Sequence, residues 1–123
     1  MTHFLKVRDI QMNALKAAHL GTLQATRALT DERYRGNCTY VHPADNKCKC
    51  AIGESLPVVL TDHATNLNNM GSVQKLIEKN IIAVDNPVQV LEIQCLHDAV
   101  CSDDPKVTDE ERAKRYKEFI DAL

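Results

Sequence analysis

The sequence predicts one mostly α-helical domain over residues 1–123, with about five helices around an irregular, loop-rich middle. Three observations carry that expectation. Aromatic content is low, with no Trp, two Phe and three Tyr, so the core must come from Leu, Ile, Val and Ala, which suits packed helices. Apolar residues recur at helical spacing through the N-terminal segment. Two helix-start signatures, Asn86-Pro87 and Thr108 with Glu111, precede long stretches compatible with helix.

Residues 3–29 read as a helix, with Thr2 as its N-cap. Val7, Ile10, Ala14, Ala17, Ala18, Gly21, Ala25 and Ala28 fall close to one face, and their small size lets another helix approach closely. Phe4, Leu15 and Leu29 add bulk at its margins. Glycine costs about 1 kcal/mol in a helix interior, so Gly21 is either a close-packing point or a break between two shorter helices. Thr30 can cap one more turn, and Gly36-Asn37 reads as a stop. Residues 37–48 read as loop, because His42-Pro43 steers the chain away from helix and Ala44-Asp45-Asn46 is turn chemistry.

Cys50 to Leu56 reads as a short helix ended by Pro57. Val58 to Thr61 continues apolar, and residues 62–72 read as polar and irregular. Ser72 is a good N-cap for a helix whose buried stripe is Val73, Leu76 and Ile77, with Asn80 as a left-handed terminator. Ile81 to Val84 reads as a crossing segment. Beyond Pro87, the residues Val88, Val90, Leu91, Ile93, Cys95, Leu96, Ala99 and Val100 are apolar almost all round, which predicts a central buried helix. The alternation of Val88 and Val90 with Gln89 also permits a strand over 88–95. Length and the Pro87 start favour helix. In the last helix Thr108 and Glu111 have capping-box spacing, and Ala113, Tyr116, Ile120 and Leu123 make the stripe, with Phe119 beside it.

Composition narrows the function classes. Hydrophobic residues are 44% and charged residues 26%, a globular rather than disordered balance. The net charge is −2, and Arg27, Arg33 and Arg35 are diluted by Asp31 and Glu32, so no basic stripe marks a nucleic-acid surface. No signal-peptide h-region and no membrane-length apolar run occurs. Five cysteines without a secretion signal read as reduced thiols in a cytoplasm, the host cell's if the chain is phage-encoded.

Three chemistries compete with plain core roles. Cys38, His42, Cys48 and Cys50 have the number and type of ligands zinc requires, but Cys48-x-Cys50 is tighter than the usual pair. The alternative makes Cys38 and Cys50 small buried hydrophobes and Cys48 a loop thiol. Cys50, opening a helix after Lys47 and Lys49, has part of what an activated nucleophile needs, but no motif supplies its base. His63, His97-Asp98 and Asp121 mimic the ligand order of HD-type metal-dependent phosphohydrolases. Adjacent helical residues diverge by about 100°, so the dyad alone fixes no site. The plainer reading puts His97 on a polar seam bonded to a backbone carbonyl and Asp98 in solvent. Cys95 reads as core and Cys101 as exposed. No catalytic residue, metal or cofactor is assigned.

Cys38, Tyr40, Asp45, Asn46, the run Cys50-Ala51-Ile52-Gly53, Leu56-Pro57, and then Leu96-His97-Asp98 resemble a family of small phage and prophage proteins. The resemblance covers about residues 36–100. It implies a helical fold and a phage source, and it brings no activity. His42 and Cys48 lie outside that pattern, so a four-ligand zinc set would be peculiar to this chain. The leading expectation is a small binding protein that acts through a protein partner, for example an inhibitor of a host defence or host enzyme. The alternatives are a metal-dependent phosphohydrolase through His63, His97 and Asp98, and a zinc-stabilised interaction module through Cys38, His42, Cys48 and Cys50.

Overall fold

The computed structural model describes residues 1–36 and 39–123, and helix dominates it. Asn37 and Cys38, and the readings placed on them, lie outside the described residues. The chain opens as a strand rather than a helix. Residues His3–Leu5 form β1, which pairs in parallel with β2, Ile82–Val84, in the register His3↔Ile82, Phe4↔Ala83 and Leu5↔Val84. Thr2 therefore caps nothing, and its hydroxyl donates to the Asn80 carbonyl at 2.8 Å.

Helix α1 spans Val7–Leu20, with Lys6 at the N-cap and no side-chain cap of its own. Asp85, beyond β2, supplies the missing acceptor and takes the Val7 N–H at 2.8 Å. A carboxylate there also suits the positive end of the helix. Gly21 ends α1 in the left-handed conformation, φ 73°. Its N–H bonds Ala18 and the Thr22 N–H bonds Ala17, the paired bonds of a Schellman stop. The single helix read over 3–29 is thus a strand and two helices, the second being α2, Gln24–Ala28. The face assignment holds across the break: Ile10, Ala14, Ala25 and Ala28 are fully buried.

A 3-10 turn at Glu32–Tyr34 follows. Residues 50–56 make only one 3-10 turn, Gly53–Ser55, where a short helix was expected. A Cβ on Gly53 would lie 2.3 Å from the Tyr40 carbonyl oxygen, so this turn sits directly on the backbone of the preceding loop. Pro57 then begins a helix instead of merely ending one: α3 is Val58–Thr61 and α4 is Ala64–Asn68, in the stretch that read as irregular. Helix α5, Val73–Glu78, has Ser72 as its N-cap, and Asn80 ends it at φ 58°, both as the sequence predicts.

Helix α6 spans Pro87–Val100, capped by Asn86, which settles the helix-or-strand alternative. Its buried stripe is Val90, Ile93, His97 and Val100. All-round burial does not hold, since Val88 is 77% exposed and Cys95 is exposed. Helix α7, Asp109–Asp121, starts at Thr108, whose hydroxyl accepts the Glu111 N–H at 3.1 Å. Its buried positions are Arg112 and Phe119, one step round from the predicted stripe, and Ala113 is exposed. The rotation follows from Arg112. Its guanidinium reaches the C-terminal end of α6 and donates to the Val100 carbonyl and, at 2.8 Å, to that of Ser102. Arg115 donates to Ala99 at 3.0 Å. These cations meet the carbonyls left unpaired at the negative end of α6.

One hydrophobic cluster joins these elements. Leu23, Ile52, Leu67, Leu76, Ile82, Ile93 and Phe119 are buried to within 1%. Each such side chain contributes roughly 1.5–3 kcal/mol on burial. No helix among the described residues is long and apolar enough to cross a membrane.

Candidate functional site

A cleft of about 670 Å³ opens between the Tyr40–Cys50 segment, the Gly71-Ser72 entry to α5, and the Leu91–Ala99 side of α6. Val73, Leu91 and Ala99 give it apolar walls, and Asn68, Gln94 and Asp98 give it polar ones. Volume and lining fall in the range of ordinary ligand or side-chain receptacles.

Most of its polar atoms are already engaged. Asn68 accepts from the Tyr40 and Val41 N–H groups at 3.0 and 3.2 Å and donates to the Val41 carbonyl at 2.8 Å. The Tyr40 hydroxyl donates to the Gly71 carbonyl at 2.7 Å. Gln94 accepts from Ile52 N–H at 3.2 Å and donates to Asp98 at 2.9 Å. The cleft walls are therefore fixed against one another before anything enters.

Beside the cleft, His97 is fully buried. Its Nε2 accepts the Ala25 N–H at 3.1 Å. Helix α2 has Leu23 at its N-cap, which offers no acceptor, so His97 performs the capping from α6. Because Nε2 accepts, the ring proton sits on Nδ1 and is donated to Asp98 Oδ1 at 3.1 Å. This corrects the reading of a polar-seam histidine bonded to a carbonyl. His97 lies four residues after Ile93 and three before Val100, so it falls on the buried stripe. Cys95 and Cys101 exchange their expected places for the same reason: Cys101 follows His97 by four and is buried, whereas Cys95 faces out at the cleft.

The loop that suggested zinc is organised by Asp45. Its carboxylate accepts from the Tyr34 hydroxyl at 2.7 Å, the Lys47 and Cys48 N–H groups at 2.9 and 3.0 Å, and the Cys48 thiol at 3.1 Å. Burial works to raise its pKa, and these hydrogen bonds overcome that and hold it well below the usual carboxylate range. His42 is buried, its Nδ1 accepts the Ala44 N–H at 3.0 Å, and its ring stacks at a tilt 4.5 Å from Tyr34. Burial lowers its pKa, against the raising effect of the Asp45 charge. Burial and the Asp45 carboxylate push the Cys48 thiol up to about 11, and burial pushes Cys50 up to about 12. Neither thiol has the depressed pKa of an activated nucleophile. In the sequence Asp45 read as turn chemistry and as part of the phage-family pattern, not as the group that organises the loop.

The phosphohydrolase set is not assembled. His63 is exposed at the junction of α3 and α4, His97 is buried under α2, and Asp121 is exposed at the end of α7. Among the described residues no three His, Cys, Asp or Glu side chains form a group able to hold a metal ion.

A second hollow, of about 230 Å³, holds Glu54 with Lys16, Thr22 and Asn13. Burial pushes Glu54 up to about 7, with the Lys49 charge pulling the other way. The raised folded-state value means that Glu54 favours the fold fully below about 4.5, and that this contribution is lost as pH rises through about 7. Glu54→Gln is therefore expected to match the wild type at pH 4 and to exceed its melting temperature increasingly toward pH 8, as read by thermal melts across that range.

No family model, no curated protein and no solved structure matches the chain.

Proposed function

We propose that this chain is a small protein-binding module of phage type that occludes a surface of its partner, with the α5–α6 cleft as the receiving site. A host defence protein or host enzyme is the kind of target this reading has in view. The observation that carries it is the cleft itself: apolar walls and a polar network held by internal hydrogen bonds. Such a surface recognises by shape, and preorganisation limits the entropy lost on association. The phage component rests on the sequence pattern from Cys38 to Asp98.

Cys95 makes the proposal testable, because it is exposed at the cleft while Cys48, Cys50 and Cys101 are buried. In a Cys38→Ser background, a photo-crosslinker attached to Cys95 is expected to capture one bacterial protein stoichiometrically. Leu91→Glu, which places a charge in the apolar wall, is expected to abolish the capture. Capture that survives Leu91→Glu, or no stoichiometric product, overturns the reading.

A further inference from the structure

Among the described residues, one charge in the cleft has no lysine or arginine counterpart. Asp98 is the only carboxylate among the described residues that line it, and none of these is a lysine or arginine. Asp98 Oδ1 accepts from Gln94 and from His97. No hydrogen bond reaches Oδ2 among the described residues. Among the described residues its one ion-pair neighbour is His97, whose Nε2 already accepts the Ala25 N–H. With its side chain 28% exposed, the carboxylate can be reached from the cleft. Its charge also extends inward. Burial pushes Cys50 and Tyr40 up, and the Asp98 charge adds to both rises.

An unneutralised carboxylate between apolar walls is complementary to a cation on an apolar stem. The geometry also discriminates between cations. A guanidinium binds best when both carboxylate oxygens are available, and Oδ1 already takes two donors. An ammonium is a point charge and needs only Oδ2. We propose that the cleft receives a lysine side chain of the protein partner, with its aliphatic stem along Val73, Leu91 and Ala99 and its ammonium on Asp98. The cleft exceeds one side chain in volume, so apolar neighbours of that lysine enter with it. This rests on the protein-binding reading above and names the chemistry of the segment recognised.

The test is an amide chemical-shift titration of the intact chain with four probes: n-hexylammonium, 1-hexanol, the peptide acetyl-Leu-Lys-Leu-amide, and the same peptide with its lysine acetylated. The ammonium and the lysine peptide are expected to give saturable shifts at Leu91, Gln94 and Ala99. The alcohol and the acetylated peptide should bind about tenfold more weakly, the loss of one charge-assisted contact. Asp98→Asn keeps an oxygen for Gln94 and His97, and it should remove the preference for the charged probes. If that variant does not fold, raising salt to about 0.5 M should weaken the wild type toward the neutral probes. Equal affinity for the alcohol, or no shifts at all, overturns the proposal. So does binding of the free amine with exclusion of the peptide, which would make the cleft a small-amine site. Capture of a partner through Cys95 without probe binding would remove the lysine and leave the protein-binding reading in place.

Discussion

His97→Ala is expected to lower stability by about 3–5 kcal/mol, a large share of what a domain of this size possesses. Two effects add. A fully buried ring disappears from beneath Phe119, whose ring lies 5.4 Å away edge-to-face. The Ala25 N–H at the start of α2 also loses its acceptor in a place water does not reach, as Ala25 is 0% exposed. Leaving such a donor unpaired costs about 1–3 kcal/mol by itself. The measurement is denaturant unfolding combined with amide exchange at Ala25. Exchange there should accelerate far more than at Val90 or Ile93. His97→Gln can return an oxygen to the Ala25 N–H, so it should recover about 1 kcal/mol and restore protection. Equal exchange in the Ala and Gln variants would show that the capping role is wrong and that only packing matters.

Asp45→Ala ranks second, at about 3 kcal/mol, because four donors converge on this carboxylate. That corresponds to a fall in melting temperature of roughly 10 °C. Asp45→Asn should lie between, since its oxygen can still serve the two backbone N–H groups while its amide faces Tyr34 and Cys48. The acid limb follows by sign. The Asp45 pKa is depressed in the fold, so its contribution is complete above the ordinary carboxylate range and is lost as pH falls toward the folded value. Burial depresses His42 as well, so its share of the loss begins as pH falls below about 6.5. Wild type should therefore weaken progressively in acid, and Asp45→Ala should be the flatter of the two below about pH 4. The same melts address zinc. A loop held by Asp45 should melt at an unchanged temperature in the presence of a chelator, whereas a zinc-held loop should melt lower, since metal-binding energy is then folding energy.

What the sequence made legible was local. Ser72, Asn86 and Thr108 each cap the helix that follows within three residues, and Asn80 stops one, so each announces itself by spacing. What stayed hidden was supplied from a distance. Val7 is capped by Asp85, Ala25 by His97, and the end of α6 by Arg112 and Arg115. No propensity or periodicity encodes an acceptor 72 or 78 positions away. For the same reason β1 was invisible, because a three-residue strand exists only through its partner. The cleft shows the same division. Its apolar wall lay in the periodicity of α6, but the pairing of Gln94, Asp98 and His97 required knowing which face was buried. The presence of His97 on the Val90–Ile93–Val100 stripe was the available signal.

The pairing of β1 with β2 bears on how the chain reaches its native state. A mostly helical protein is ordinarily a fast folder, because its contacts are close in sequence. Here the first strand meets its partner only after a loop of nearly eighty residues has closed, and α1 receives its cap from the same distance. Helices α6 and α7 are neighbours in sequence and in space, so they can dock early at little entropic cost. The N-terminal strand then arrives as a late clasp. Its closure, rather than helix formation, is the step expected to limit folding, and stopped-flow refolding of a variant that unpairs β1 from β2 would test it.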